Sequence, residues 1–153
     1  MNIENLKLIA YATVAIFFLV ISVSIYNECK AFQIRIKEKA ADLESSKVKL
    51  NRVYKEIQTL LSKYSIHESD ALKAIISGTT NVNILSIKYP QLKADGLFLN
   101  ASTNWDSLYT KLQESVTDYN YIITEYNTYV TNFPRNIICF LLGYKEKIHA
   151  VIK

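Results

Sequence analysis

Side chains able to act as acids, bases or nucleophiles are sparse in this sequence. It holds two histidines, His67 and His149, and two cysteines, Cys29 and Cys139. His67-Glu68 begins the His-Glu-x-x-His pattern of a zinc protease, in which two imidazoles one helical turn apart hold the metal and the glutamate activates water. Ala71 stands where the second histidine must be, so the pattern fails. Ser46-Lys47-Val48-Lys49 has the Ser-x-x-Lys spacing of an acylated serine beside its base, but on a charged helical stretch without the companion motifs. A glycine-rich phosphate loop is missing, and two cysteines build neither a disulfide framework nor a metal cluster. The reading is a non-enzymatic chain with no cofactor and no metal.

The elements that must carry any site begin with the N-terminus. From Leu8 to Asn27 no residue is charged. Twenty helical residues at about 1.5 Å each reach about 30 Å, the thickness of a bilayer's hydrocarbon core. Residues 1–7 are then a tail, 8–27 a transmembrane helix and 28–153 the body. A cleaved secretory signal is the competing reading, with Ser22-Val23-Ser24 imitating a cleavage site; the apolar run continues past it through Ile25 and Tyr26. Lys7 flanks the run on one side, and Lys30, Arg35, Lys37 and Lys39 on the other. By the positive-inside rule the body is cytoplasmic and the tail outside.

The sequence has three glycines and two prolines in 153 residues, which favours long helices over a many-stranded sheet. One helix is expected over about 28–76. Its apolar seam recurs every seven positions at Ile36, Leu43, Leu50, Ile57 and Tyr64, with a weaker set at Ala40, Val53 and Leu60. The 3-4 spacing fits either the face of an intramolecular bundle or a coiled coil, and Lys47 at a seam position favours the bundle. A short helix follows over about 82–89, then a structured loop from Tyr89 to Gly96. A second long helix runs over about 97–132, with a seam at Tyr109, Leu112, Val116, Tyr119, Ile123, Tyr126, Val130 and Phe133. Asn120 and Asn127 follow Tyr119 and Tyr126 and are the candidate partners of those phenols once buried. A last helix, over about 135–152, has an apolar centre flanked by Arg135, Lys145 and Lys147. Three roles stay open for it: core cap, subunit contact, or helix in the membrane interface.

The net charge of +4 suits an anionic membrane surface. Nucleic acid is not an expected partner, because basic residues alternate with acids and the aromatics lie in the seams.

Five short motifs stand in order along the chain: Tyr26-Asn27 at the end of the span; Tyr64-Ser65-Ile66-His67-Glu68; Tyr89-Pro90-Gln91-Leu92-Lys93-Ala94 with Phe98 after it; the pair Tyr119-Asn120 and Tyr126-Asn127; and Phe133-Pro134-Arg135-Asn136-Ile137-Ile138 followed by Gly143-Tyr144-Lys145. Together they resemble the LemA family of bacterial membrane proteins. Two departures stand out. The family's proline in the first helix is replaced within Lys55-Glu56-Ile57, so this helix should be straighter. The interval between His67-Glu68 and Tyr89-Pro90 is short by a few dozen residues, which reduces the family's second helix to a stub. The resemblance implies an all-α fold: a transmembrane helix continuing into an up-and-down antiparallel bundle. It implies no enzymatic activity, and the family's magnetosome-membrane members point to membrane organisation.

Two functions follow as expectations. The first is a membrane-anchored scaffold that self-associates, because a bundle missing most of one helix leaves apolar surface for a second copy. The alternative is a monomeric adaptor or sensor that recruits another protein through the bundle tip, at His67-Glu68 or at the loop carrying Tyr89, Pro90 and Lys93.

Overall fold

A computed structural model describes residues 2–64 and 82–151. Among these residues every regular element is helical: α1 (Ile3–Lys63), α2 (Asn83–Lys88), α3 (Pro90–Lys93), α4 (Gly96–Thr131) and α5 (Arg135–Leu141). His67, Glu68, Gly78 and the expected continuation of the first long helix to residue 76 lie outside the described residues.

α1 joins the expected span and the expected first long helix in one element of 61 residues. Nothing in its sequence breaks it, since neither glycine nor proline occurs before Gly78. α2 stops at Lys88 because Pro90 pushes Tyr89 out of the helical region, to φ −124° and ψ 89°. The stretch after Tyr89 is more regular than the expected loop. Pro90 opens the single turn α3, where its missing N–H costs nothing.

α5 ends eleven residues earlier than the expected limit of 152. Gly143 takes a positive φ of 78°, a conformation that strains any residue bearing a Cβ. Its N–H donates to the Phe140 carbonyl at 3.0 Å, and the Tyr144 N–H donates to the Cys139 carbonyl at 2.9 Å. These bonds close the helix end. The chain from Tyr144 to Val151 then runs as a non-helical strap.

The chain divides into two compact units, and both α1 and α4 contribute to each. The first unit comprises Met1–Glu38 and Asn120–His149. Its buried side chains are Ile25, Cys29 and Ile36 from α1, Ile122, Ile123, Tyr126 and Val130 from α4, and Cys139 from α5. Arg35 meets Glu125 at 3.4 Å. From Asn2 to Val20 every side chain is exposed.

The second unit comprises Lys39–Tyr119 and Ala150–Lys153. Here α1 and α4 are antiparallel: Lys39 pairs with Asp118 at 2.7 Å, Ser46 with Ser115 at 3.0 Å, and Tyr64 with Asp95 at 2.7 Å. At the Tyr64 end, Val53, Ile57, Leu60 and Leu61 of α1 bury against Phe98, Ala101 and Trp105 of α4, with Val82, Leu85 and Leu92 completing the cluster. Further along, the core thins to Leu43, Leu112 and Val116, with Leu50, Tyr119 and Ala150 at its edge. The first seam is thus consumed inside the chain, as a bundle face. Lys47 is exposed and Ser46 takes the inward position beside it. Because the Ser115 hydroxyl donates to the Lys111 carbonyl, Ser46 is the donor of the serine pair.

Candidate functional site

The most constructed part of the first unit lies where the uncharged run ends. Ile25 and Cys29 are one turn apart on one face of α1, and both are buried. Cys29 Sγ lies 3.8 Å from Cys139 Sγ of α5, and both residues are fully inaccessible. Burial first, then the hydrogen bond with Cys139, pushes the Cys29 thiol up to about 12. Both thiols are buried, and the raised value keeps Cys29 in its neutral, weakly nucleophilic form.

Aromatic rings continue the site. Phe32 meets Tyr126 edge-on with centroids 6.0 Å apart and Tyr129 at 5.4 Å, and the Arg135 guanidinium lies 4.5 Å over the Tyr129 ring. The strap is fastened to α4 by side chains. Tyr126 donates its hydroxyl to the Lys145 carbonyl at 3.0 Å. Asn127 makes a matched pair with one strap residue: its Nδ2 donates to the Lys147 carbonyl and its Oδ1 accepts from the Lys147 N–H, each at 2.9 Å. Thr124 and His149 meet at 3.0 Å.

The outer side of this region is apolar and open. Phe133, Ile137, Phe140 and Leu141 are 78%, 54%, 81% and 77% exposed. A cleft of about 590 Å³ lies between the end of α4, α5 and the strap, with walls that include Val130, Ile137, Phe140 and Tyr144. Asn136 Oδ1 is buried there without a hydrogen-bond partner among the described residues.

In the second unit the polar centre is Asp95. Its Oδ1 accepts from the N–H groups of Leu97 at 2.9 Å and Phe98 at 3.3 Å, and its carbonyl accepts the Leu99 N–H at 3.1 Å. That is the arrangement of a helix N-cap. The other oxygen accepts the Tyr64 hydroxyl at 2.7 Å, with Lys63 Nζ at 3.9 Å. The Tyr64 bond first, then the backbone N–H bonds and Lys63, hold the Asp95 carboxyl below its ordinary value, against the opposing effect of burial. One carboxylate therefore starts α4 and ties it to the end of α1.

The other residues singled out from sequence fall as follows. Tyr89 is half-buried against the larger core cluster, while Pro90 and Lys93 are exposed. Tyr119 packs beside Leu43, Leu112 and Val116, and Asn120 is half-buried. Tyr126 is buried as expected, but its phenol is satisfied by the strap backbone, and Asn127 serves the strap rather than the phenol. Phe133 is not part of the α4 seam. α4 has ended at Thr131, and Phe133 projects outward before the cis Phe133–Pro134 bond. Ser46 is 4% exposed and bonded to Ser115, so its spacing to Lys49 makes no accessible nucleophile. Among the described residues no three His, Cys, Asp or Glu side chains converge as metal ligands.

Asp95 and the Cys29–Cys139 contact were not singled out from sequence, and Gly143 was named only within a family motif, not as a helix end. An Asp before Gly-Leu-Phe at a helix start, and a Gly after an apolar helical run, are signals that point to Asp95 and Gly143. Cysteines 110 positions apart carry no local signal of their contact.

The LemA family model matches residues 38–151, well over half of the chain. The chain belongs to the LemA family. Searches of curated proteins and of solved structures find no match. Among the described residues this LemA-family chain has one helix, α1, long and apolar enough to cross a membrane by length and composition, with almost none of the apolar window buried. Family and helix together fit a membrane-associated helical protein.

Proposed function

We propose that the chain is a non-enzymatic, single-pass protein of the bacterial cytoplasmic membrane that self-associates into a scaffold, with its body in the cytoplasm. The supporting observation is the thin core of the second unit. Between Leu43 and Leu50, among the described residues, α1 and α4 share only Leu43, Leu112 and Val116 as buried apolar residues, with a serine pair in their midst. Two helices cover one another on one side only. Leu50 and Tyr119 stay half-covered at the edge, where helices from a second copy add the missing layer. Orientation rests on Lys30, Arg35, Lys37 and Lys39 against the single Lys7.

The test is the mass of the full chain in mild detergent, by light scattering behind a sizing column, over a wide concentration range. A defined oligomer is expected, and a monomer throughout overturns the scaffold reading. A monomer favours the adaptor reading, to which one observation belongs: Ile87 and Leu97, 79% and 59% exposed, present apolar surface on the elements that flank exposed Lys93.

A further inference from the structure

We propose that α5 and its flanks form a second membrane contact, seated in the interfacial zone of an anionic leaflet beside the end of the α1 span. The inference requires α1 to cross the membrane; it does not require self-association.

Position comes first. Cys139 touches Cys29, two residues beyond the last residue of the uncharged run, or about 3 Å along the helix axis. The α1 face that meets Cys139 continues to buried Ile25 and to half-covered Ile21 and Ser22. The protein therefore packs around the last turns of the run, at the level where headgroups meet acyl chains.

Pattern comes second. Within α5, Ile137, Phe140 and Leu141 fall at i, i+3 and i+4 and are largely exposed, with Phe133 exposed in the turn just before the helix, whereas Cys139 is fully buried. One side of α5 thus faces the unit's core, and the other offers large apolar side chains to its surroundings. An amphipathic helix lying in the interface plane has this distribution.

Charge comes third. Lys30, Lys145 and Lys147 are exposed and Arg135 half-exposed, with Glu28 and Glu146 as the acids of the same region. The balance favours an anionic headgroup layer.

A second copy is the competing occupant, and size argues against it. The exposed apolar face is three residues of a seven-residue helix about 10 Å long plus Phe133, too small a patch to bury the roughly 800 Å² per partner of a stable protein interface.

The experiment places p-benzoylphenylalanine at position 140 of the full chain, reconstituted in nanodiscs of phosphatidylcholine with or without phosphatidylglycerol. Position 48 is the comparison: Val48 is also exposed on α1, at 53%, but lies well beyond the last residue of the run, Asn27. After irradiation, mass spectrometry reads the adducts. Lipid adducts at 140, several-fold above those at 48 and more abundant with phosphatidylglycerol, are the expected result. Cross-linking of 140 to a second chain, or lipid adducts no more frequent than at 48, overturns the membrane contact. Equal yields in the two lipid mixtures overturn the anionic preference.

Discussion

Replacing Asn127 by alanine removes both hydrogen bonds that clamp the strap at Lys147 and leaves the Tyr126–Lys145 and Thr124–His149 contacts in place. A neutral hydrogen bond contributes about 0.5–1.5 kcal/mol net, so two amount to about 1–3 kcal/mol. The site is half-buried and water competes there, which puts Asn127→Ala in the lower part of that range, about 1–2 kcal/mol. That free energy multiplies the strap's opening equilibrium by about 5–30. Hydrogen exchange reads this directly, because the Lys147 N–H is itself the donor to Asn127 Oδ1. Measured by mass spectrometry on the full chain in detergent, protection of the peptide from Tyr144 to Val151 should fall by about that factor. Peptides within α1 and the helical circular dichroism should not change. Asn127→Asp keeps an acceptor for the Lys147 N–H but sets a carboxylate against the Lys147 carbonyl, so it should fall between alanine and wild type. Wild-type protection in the alanine variant would refute the clamp.

Two further outcomes follow from the titrating groups. The Asp95 carboxyl has its pKa lowered in the folded chain, so its stabilisation is complete above its ordinary value of 3.8 and disappears as pH falls through the lowered folded value. An acid titration of helicity should show a loss of stability below pH 3.8 that Asp95→Asn, a cap without a charge, lacks; identical acid profiles would dismiss the role given to Asp95. Cys29 is fully buried and its thiol pKa is raised, first by burial and then by the hydrogen bond with Cys139. Iodoacetamide should therefore modify it many-fold more slowly in the folded chain than in urea, and comparable rates would show that Cys29 is not buried against Cys139.

How far the sequence revealed this structure can be followed residue by residue. The seams were legible because burial repeats with the helical period: Ile36, Leu43, Val53 and Ile57 on α1, and Leu112, Val116, Ile123 and Val130 on α4, lie inside as their spacing predicts. The unbroken α1 was legible from the absence of glycine and proline. What escaped were places where a polar side chain serves a distant backbone. Asn127 looked like a neighbour's hydrogen-bond partner, because nothing local marks a strap arriving from Lys147. The end of α5 was misplaced because Gly143 leaves the helix well before residue 152; Ile148 and Val151 beyond it end exposed, at 89% and 72%. Phe133 extended the α4 seam by arithmetic alone, past the point where Pro134 forbids the helix. The family resemblance supplied the bundle, and the contacts inside it came from the structure.

The two surfaces to which functions are assigned differ in chemistry, and that separates their tests. The thin stretch of the second unit is bordered by Lys39, Asp42, Lys49, Lys111, Glu114 and Asp118, a mixed rim of both signs around a partly buried serine pair. Mixed charge of that kind suits a protein partner, because it fixes register through matched pairs, and it does not suit lipid, whose headgroup layer rewards a single sign. The outer side of α5 is the reverse: four large apolar side chains with a net excess of lysine and arginine around them. Lipid accepts such a face without shape complementarity, whereas a protein partner would need a matching groove. Substitutions at Phe140 should therefore alter membrane contact and leave detergent mass unchanged. Substitutions around Ser46 and Ser115 should do the opposite. If one set of changes moved both properties, the two surfaces would be one interface, and the assignment of separate partners would be wrong.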